Sequence, residues 1–187
     1  MRRTAFFAAA LLLSGCGSSP PSHFYVLTAD PAPPRAAAAG GHTVALGRVS
    51  LPGALDRPQI ARRKGGNEIV FSDEERWAGP LDDMMRRVLA DDLAARLPAG
   101  VALVESGARP APGVTVAVEV SRFDADEAGN VTLAARWEAL GPTGRPLGPP
   151  RESTIVEPGS GKDAAAVVNT MSRAVSDLAA RIAAGLR

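Results

Sequence analysis

Two neighbouring stretches of the sequence alternate between apolar and polar residues, and they constrain the fold more than any other feature. In the first, at residues 114–121, a valine stands at every second position. In the second, which follows turn-forming residues at 126–130, the alternate positions are Val131, Leu133, Ala135 and Trp137. A period of two places alternate side chains on one face of a β-strand. The pattern therefore predicts two strands joined by a turn, each with one buried face.

Two other stretches repeat apolar residues at helical spacing. The first begins after Gly79-Pro80, where proline suits the first helical turn, and ends at Pro98. The second runs from about Asp163 to about Leu186. The first helix also carries acid-before-base pairs four residues apart: Asp82 with Arg86, Asp83 with Arg87, and Asp92 with Arg96. We expect two amphipathic helices, the first with a solvated ion-pair face opposite its buried one.

Shorter apolar stretches predict the remaining strands, at residues 23–28, 43–51, 59–62, 68–71, 101–105 and 152–156. The second of these is expected to contain a bulge, because its alternation breaks at Arg48. The third and fourth are expected to form a hairpin, and residues 30–41, rich in Pro, Ala and Gly, a loop. The order is strands, helix, strands, helix. We therefore predict an α+β fold, a largely antiparallel sheet covered on one face by two amphipathic helices.

The first fifteen residues predict a signal peptide that is removed. Arg2 and Arg3 precede an unbroken apolar run at residues 5–13, which is followed by Ser14-Gly15-Cys16. The run is too short to span a bilayer, which takes about 20 residues in a helix. The Leu-Ser-Gly-Cys end resembles the bacterial lipobox. This resemblance implies that Cys16, the one cysteine of the chain, is lipidated and becomes the first residue.

Three segments follow from this assignment: a signal peptide at residues 1–15, a lipidated N-terminus and tether at 16–22, and a single α+β domain at 23–187. Gly17, rather than aspartate, follows Cys16. By the sorting rule of enteric-type bacteria, this favours the periplasmic face of the outer membrane over the inner membrane. Processing removes two of the 21 basic residues and none of the 20 acidic ones. The nearly neutral product gives no reason to expect a nucleic-acid partner.

Residues suited to catalysis or metal binding are sparse. Neither of the two histidines, His23 and His42, has a second histidine or a cysteine at metal-ligand spacing. The chain lacks a G-x-S-x-G elbow, and its glycine-rich pieces lack the strand–loop–helix context of a nucleotide site. The paired acids at 82–83 and 91–92 precede arginines by one helical turn, which indicates a solvated face rather than catalytic carboxylates. We expect no enzyme activity, no metal and no cofactor.

Two segments resemble a known family. The first contains Leu-Asp-Arg-Pro-Gln-Ile at residues 55–60 and Arg-Trp-Ala-Gly-Pro-Leu at 76–81, and the second covers residues 116–137. Together with the lipobox and the Phe-Tyr-Val-Leu sequence at 24–27, they are similar to the ABC-type transport auxiliary lipoproteins, within the Pqi-type branch linked to membrane integrity. Ala54 and Gly79 stand where the family would suggest tyrosine and glutamate.

The resemblance implies a non-enzymatic lipoprotein subunit of an MCE-type lipid transport system, which docks or receives a conduit that crosses the envelope. The implied partners are an MCE-domain (PqiB-like) protein and an inner-membrane component, and a homo-oligomer is a further expectation. The alternatives are a structural lipoprotein of another envelope assembly and a cell-envelope hydrolase.

Four polar residues of the first segment are candidate partner contacts: Asp56, Arg57, Gln59 and Arg76. The sequence at 56–59 is equally compatible with a structural role at the entrance of a strand, so both interpretations stay open here. Trp77, immediately before a helix, is expected to lie in the core rather than to bind a partner.

Overall fold

The computed structural model describes residues 20–30, 41–109 and 111–186. Cys16, the signal peptide and most of the Pro/Ala/Gly loop lie outside the described residues. The strands are β1 (His23–Tyr25), β2 (His42–Ser50), β3 (Gln59–Lys64), β4 (Glu68–Trp77), β5 (Val101–Val104), β6 (Val114–Ala125), β7 (Val131–Leu140) and β8 (Arg151–Glu157). The helices are α1 (Leu81–Arg96), after β4, and α2 (Ala164–Gly185), after β8.

β6 is the central strand of the sheet. It pairs antiparallel with β7 from Thr115 to Ala125, and β7 pairs antiparallel with β8. The other edge of β6 is shared: β2 pairs with its first half, and β3 pairs with its last residue, Ala125. β2 and β3 therefore follow one another along the same edge, separated by the loop at residues 51–58. β4 and then β1 extend the sheet beyond β3, and β5 extends it beyond β2.

The predicted α+β architecture is confirmed, and the strand directions add detail. The three antiparallel pairings include the two longest ladders, between β6 and β7 and between β7 and β8. Among the described strands, four further pairings are parallel: β1 with β4, β2 with β5, β2 with β6, and β3 with β6. The sheet is therefore mixed, and its parallel part lies on the β2–β3 side of β6.

The two helices pack side by side on one face of the sheet, as predicted. The apolar stripe of α1 is buried, namely Leu81, Met85, Val88, Leu89 and Leu93. Asp163 is the N-cap of α2, and its carboxylate accepts a hydrogen bond of 2.9 Å from the amide of Ala166. Such a cap satisfies one of the free amides of the first turn and contributes about 1 kcal/mol. Trp77 and Trp137 are both buried, so the core assignment of Trp77 is confirmed.

The predicted bulge in β2 is present between Leu46 and Val49, where the register with β6 shifts. Gly47 lies within this irregularity. A Cβ atom at Gly47 would lie 3.2 Å from the carbonyl oxygen of Val116, so a larger residue would push β2 away from β6. The bulge redirects the strand just before the loop at 51–58.

The predicted solvated ion-pair face of α1 is wrong in its last turn. Asp92 and Arg96 form an ion pair of 3.0 Å, but Asp92 is fully buried. Its carboxylate accepts a 3.0 Å hydrogen bond from the amide of Asp30, and Arg96 donates to the hydroxyl of Ser176 on α2 at 2.7 Å. The segment after β1 and helix α2 thus cover this turn. Within the described residues, the pairs Asp82/Arg86 and Asp83/Arg87 form no ion pair.

Candidate functional site

The four candidate contact residues occupy two neighbouring places. Asp56 and Arg57 lie in the loop at residues 51–58, and Gln59 begins β3. Arg76 lies near the end of β4, where it is the register partner of Gln59. The β3–β4 pairing therefore brings Gln59 and Arg76 together, although the sequence separates them by a full hairpin. Asp56 lies apart from this pair and faces a groove on the β2 side.

Three of the four residues make contacts within the chain. The side-chain amide of Gln59 donates a hydrogen bond of 3.1 Å to Asp73. The guanidinium of Arg76 lies 3.9 Å from the same carboxylate, and its Nε is buried without a partner among the described residues. The guanidinium of Arg57 lies 4.2 Å from the ring centre of Phe71, a cation–π contact. These contacts favour the structural interpretation for Arg57 and Gln59 and leave Arg76 incompletely paired.

Asp56 differs, because it is exposed and makes no hydrogen bond or ion pair with any described residue. It lines a groove of about 720 Å³ that follows β2 from Leu46 to Ser50 and then reaches Gly53. β5 pairs with β2 only as far as Ala45. Beyond that point no described strand covers this edge of β2, so its backbone borders the groove. An uncovered strand edge can accept a further strand from another chain.

Charged side chains surround this groove. Asp82 and Asp83, at the start of α1, lie across from β2, and Arg48 and Arg86 complete the charged lining. None of these four side chains forms an ion pair among the described residues. The two aspartates suit their position, because a helix N-terminus stabilises nearby negative charge. The groove therefore combines an open strand edge with carboxylates and guanidinium groups that are free to pair with a ligand.

A second polar site, which the sequence did not reveal, joins β3 to β6. Asp124 is buried and accepts hydrogen bonds of 2.9–3.0 Å from the guanidinium groups of Arg63 and Arg122. Burial by itself would raise the pKa of Asp124, but the two guanidinium groups hold it below its ordinary value. The site links β3 to β6, two strands whose backbones share a single register pair, Arg62 with Ala125.

The buried Asp92 site behaves in the opposite way. Burial raises the pKa of Asp92 above its ordinary value, even with Arg96 beside it. One of its carboxylate oxygens has no hydrogen-bond partner among the described residues. Nearby, the amide of Thr28 donates a hydrogen bond of 3.1 Å to Ser172 of α2. The chain segment after β1 is thus held onto both helices.

A pair of carboxylates, Glu157 and Asp177, also has no signature in the sequence. Burial, and then the neighbouring carboxylate of Asp177, raise the pKa of Glu157 above its ordinary value, and Arg173 lies 3.7 Å away. The pair borders a cleft of about 520 Å³ between α2 and the segment at residues 28–30. The two acids lie twenty positions apart in the sequence, and the packing of α2 on β8 brings them together.

The two histidines are the side chains on which a metal site or a catalytic triad would depend. His23 lies on the outer strand β1 and His42 begins β2, and both are exposed. Within the described ranges, no group of three or more His, Cys, Asp or Glu residues could hold a metal ion. In the same ranges, none of the helices is both long and apolar enough to cross a membrane.

Comparisons with known proteins agree with one another. The family model described as the ABC-type transport auxiliary lipoprotein component matches residues 25–183. The intermembrane transport lipoprotein PqiC of Escherichia coli K12 is 26% identical over 139 residues, which cover 73% of each chain. PqiC of Shigella flexneri matches to the same extent.

Solved structures share the fold. A crystal structure of an uncharacterized protein superposes with a TM-score of 0.76 at 18% identity, covering 90% of this chain and 100% of the other. A protein of Xanthomonas campestris superposes with a TM-score of 0.68 at 20% identity, covering 88% and 94% of the two chains. At these identities the likeness concerns the fold alone.

Proposed function

The chain belongs to the family of ABC-type transport auxiliary lipoproteins, and we propose that it is the membrane-anchored docking subunit of an MCE-type, Pqi-like lipid transport system. The observation that carries this proposal is the family match over residues 25–183, which includes every strand and helix except the first residues of β1 and the last of α2. The curated relatives, which bear the name intermembrane transport lipoprotein, support the same direction.

The proposed location is the periplasmic face of the outer membrane, with lipid on Cys16. The support comes from the signal-like residues 1–15, the lipobox-like sequence and Gly17. Two or more acyl chains would make this attachment stable, whereas a single chain binds only marginally. The anchor would fix the domain at one membrane, where a partner attached to the other membrane can reach it.

The family is a transport component rather than an enzyme class, and we extend this to a non-enzymatic role for the chain. The buried acids support this view through their contacts. Asp124 is engaged by two arginines, and Asp92 by Arg96 and a backbone amide. Through these contacts the two buried carboxylates hold strands and helices together.

The groove beside β2 is the proposed partner surface. An extended segment of the MCE-type partner would pair its backbone with residues 46–50, in line with β5, and its side chains would meet Asp56 at one end. Strand addition gives affinity through main-chain hydrogen bonds and selectivity through the flanking side chains. Asp56 is the candidate contact that this proposal retains, because Arg57 and Gln59 are engaged within the chain.

Affinity purification of the tagged, lipidated chain from detergent-solubilised membranes tests the function. Recovery of an MCE-domain protein, together with an inner-membrane component, is the expected result. Repeated purification without any MCE-domain protein, from cells that express one, would contradict the proposal. An activity that releases lipid or cell-wall fragments would instead support the hydrolase alternative.

A charge reversal at Asp56 tests whether the groove beside β2 is the partner surface, independently of whether the chain belongs to an MCE-type system. Asp56→Lys is expected to weaken partner recovery about tenfold, which corresponds to about 1.4 kcal/mol, since a cation would replace the carboxylate that the partner's side chains meet. Glu152→Lys is the matched control, because Glu152 is an exposed carboxylate on β8, at the opposite side of the sheet. Equal recovery with both variants would place the contact outside the groove.

A further inference from the structure

Phe24 on the outer strand β1, together with Val26 just after it, forms an exposed apolar surface. The side chain of Phe24 is 64% exposed and that of Val26 is 53% exposed, whereas Leu27 is buried and Tyr25 packs against the core. Among the described strands, β1 pairs with β4 alone. Alternate residues of a strand point to opposite sides. One side of this segment therefore packs on the protein while the other presents an aromatic ring and an aliphatic side chain to the surroundings.

Arg76 adds a cation to the same surface. It is the register partner of Phe24 in the β1–β4 pairing, so the two side chains project from the same face of the sheet. About a third of the Arg76 side chain is exposed, and its nearest carboxylate, Asp73, lies at a distance of 3.9 Å. An aromatic ring, an aliphatic side chain and an incompletely paired guanidinium are the groups that suit the boundary between phospholipid headgroups and acyl chains.

The chain path brings this surface close to the proposed anchor. Phe24 lies eight positions after Cys16, and a chain of that length spans at most about 29 Å when fully extended. The hydroxyl of Ser22 donates a hydrogen bond to the carbonyl of Asp73 in β4, which fixes the approach of the chain to the β1–β4 edge. The exposed Val156 lies on β8, which is five strand spacings, or about 24 Å, from β1 across the sheet.

We propose that the β1–β4 edge lies against the phospholipid surface that holds the anchor, with Phe24 and Val26 in the interface and Arg76 at the lipid phosphates. The inference rests on the proposed lipid attachment at Cys16. Exposed carboxylates at Asp73 and Glu74 border the edge. Contact is therefore expected to be closer on zwitterionic phosphatidylcholine than on vesicles rich in anionic phosphatidylglycerol.

Tryptophan quenching by brominated lipids tests the orientation. The native Trp77 and Trp137 are buried and give a constant background. Phe24→Trp places a reporter in the proposed interface, and Val156→Trp places one at a site of equal exposure, 65%, on the far edge. Both variants are reconstituted as lipidated chains into brominated phosphatidylcholine vesicles. The added emission at position 24 is expected to fall about twofold, since interfacial side chains reach about 5–10 Å below the headgroups, with little change at position 156.

The outcomes separate the orientation from the anchor. Flotation with vesicles reports lipid attachment. If the purified chain does not float, the anchor proposal fails. Coupling of the Cys16 thiol to a maleimide lipid then supplies the same tether, and the quenching comparison still decides the orientation. Equal quenching at positions 24 and 156, or none at either, would overturn the inference. So would a blue shift of the Phe24→Trp emission that depends on protein concentration without vesicles, because a second copy would then cover the edge.

Discussion

The two buried aspartates of this domain show how the number of donors decides what a buried carboxylate does. Asp124 receives hydrogen bonds from two guanidinium groups, and its pKa lies below the ordinary value. Asp92 accepts hydrogen bonds from one guanidinium group and one backbone amide. Its other carboxylate oxygen is unpaired among the described residues, and its pKa lies above the ordinary value. Burial is similar at the two sites. Its cost is offset at Asp124 and only partly offset at Asp92.

The two sites also connect different parts of the molecule. Asp124 joins β3 to β6, where a single backbone register pair links the two strands. Asp92 holds the segment after β1 onto the helices through the amide of Asp30. We infer that Asp124 secures the sheet, whereas Asp92 secures the approach of the N-terminal segment to the domain and is the weaker of the two attachments.

Removal of the first carboxylate should have the largest effect. Asp124→Ala leaves Arg63 and Arg122 without their shared partner, and we expect a loss of about 3 kcal/mol in the free energy of unfolding. Both arginines keep some access to water, which places the estimate at the low end for a buried pair. Urea denaturation measures the loss. Glu119→Ala, at an exposed position of the same strand, is the control and should change stability by less than about 0.5 kcal/mol; comparable losses would contradict the comparison.

The pH dependence of stability should separate the two sites by sign. The lowered pKa of Asp124 adds stability above the unfolded value of about 3.9, and this stability is lost as the pH falls toward the folded value. The raised pKa of Asp92 adds stability that is complete below about pH 3.9 and is lost as the pH rises through the folded value.

Unfolding of Asp124→Asn and Asp92→Asn from pH 3 to pH 7 checks these signs. As the pH falls, the difference from the unsubstituted chain should shrink for Asp124→Asn and grow in favour of the unsubstituted chain for Asp92→Asn. Slopes of the same sign would show that the two carboxylates ionise alike, and the contrast between the sites would be lost.

A smaller effect is expected at the attachment of the N-terminal segment. Ser172→Ala removes the acceptor of the Thr28 amide and should cost about 1 kcal/mol. Hydrogen exchange at the Thr28 amide should accelerate, while amides in the β6–β7 hairpin keep their protection. A uniform rise in exchange would mean that the segment is coupled to the whole fold rather than held locally.

The smallest effect is expected on the open face of α1. Arg86→Ala should change stability by no more than about 0.5 kcal/mol, because Arg86 makes no ion pair among the described residues. Arg96→Ala is the informative companion, since Arg96 contacts Asp92, Asp30 and Ser176. Urea denaturation measures the free energy of unfolding of both variants. Equal losses would show that burial of the partner acid does not determine how much each arginine stabilises the fold.

Local patterns were sufficient to predict most of the elements. The strands β6 and β7, the turn between them and both helices were predicted to within a few residues, because side-chain periodicity and turn residues act over short distances. The bulge in β2 and the core position of Trp77 were also predicted. β4 was predicted only as far as Phe71, and it continues to Trp77 through an irregular, acid-rich stretch that carries no strand pattern.

The remaining features depend on contacts between distant residues. The spacing of Asp92 and Arg96 is the same as that of Asp82 and Arg86, so sequence could not reveal that Asp30 and α2 bury only the former pair. The parallel alignment of β2 and β3 on β6 likewise has no local signature. At the candidate site, the proximity of Gln59 to Arg76 requires the β3–β4 register, and the groove at Asp56 exists because β5 ends early.

The shared edge of β6 also bears on how the domain forms. β2 and β3 cannot pair with β6 until residues 114–125, which form that strand, have been synthesised. An emerging chain therefore holds its first half without these sheet partners until about two-thirds of its length is available. Long-range pairing of this kind slows folding relative to a hairpin ladder. With the proposed signal peptide, this delay would keep the first half of the chain extended during export, as passage through a membrane channel requires.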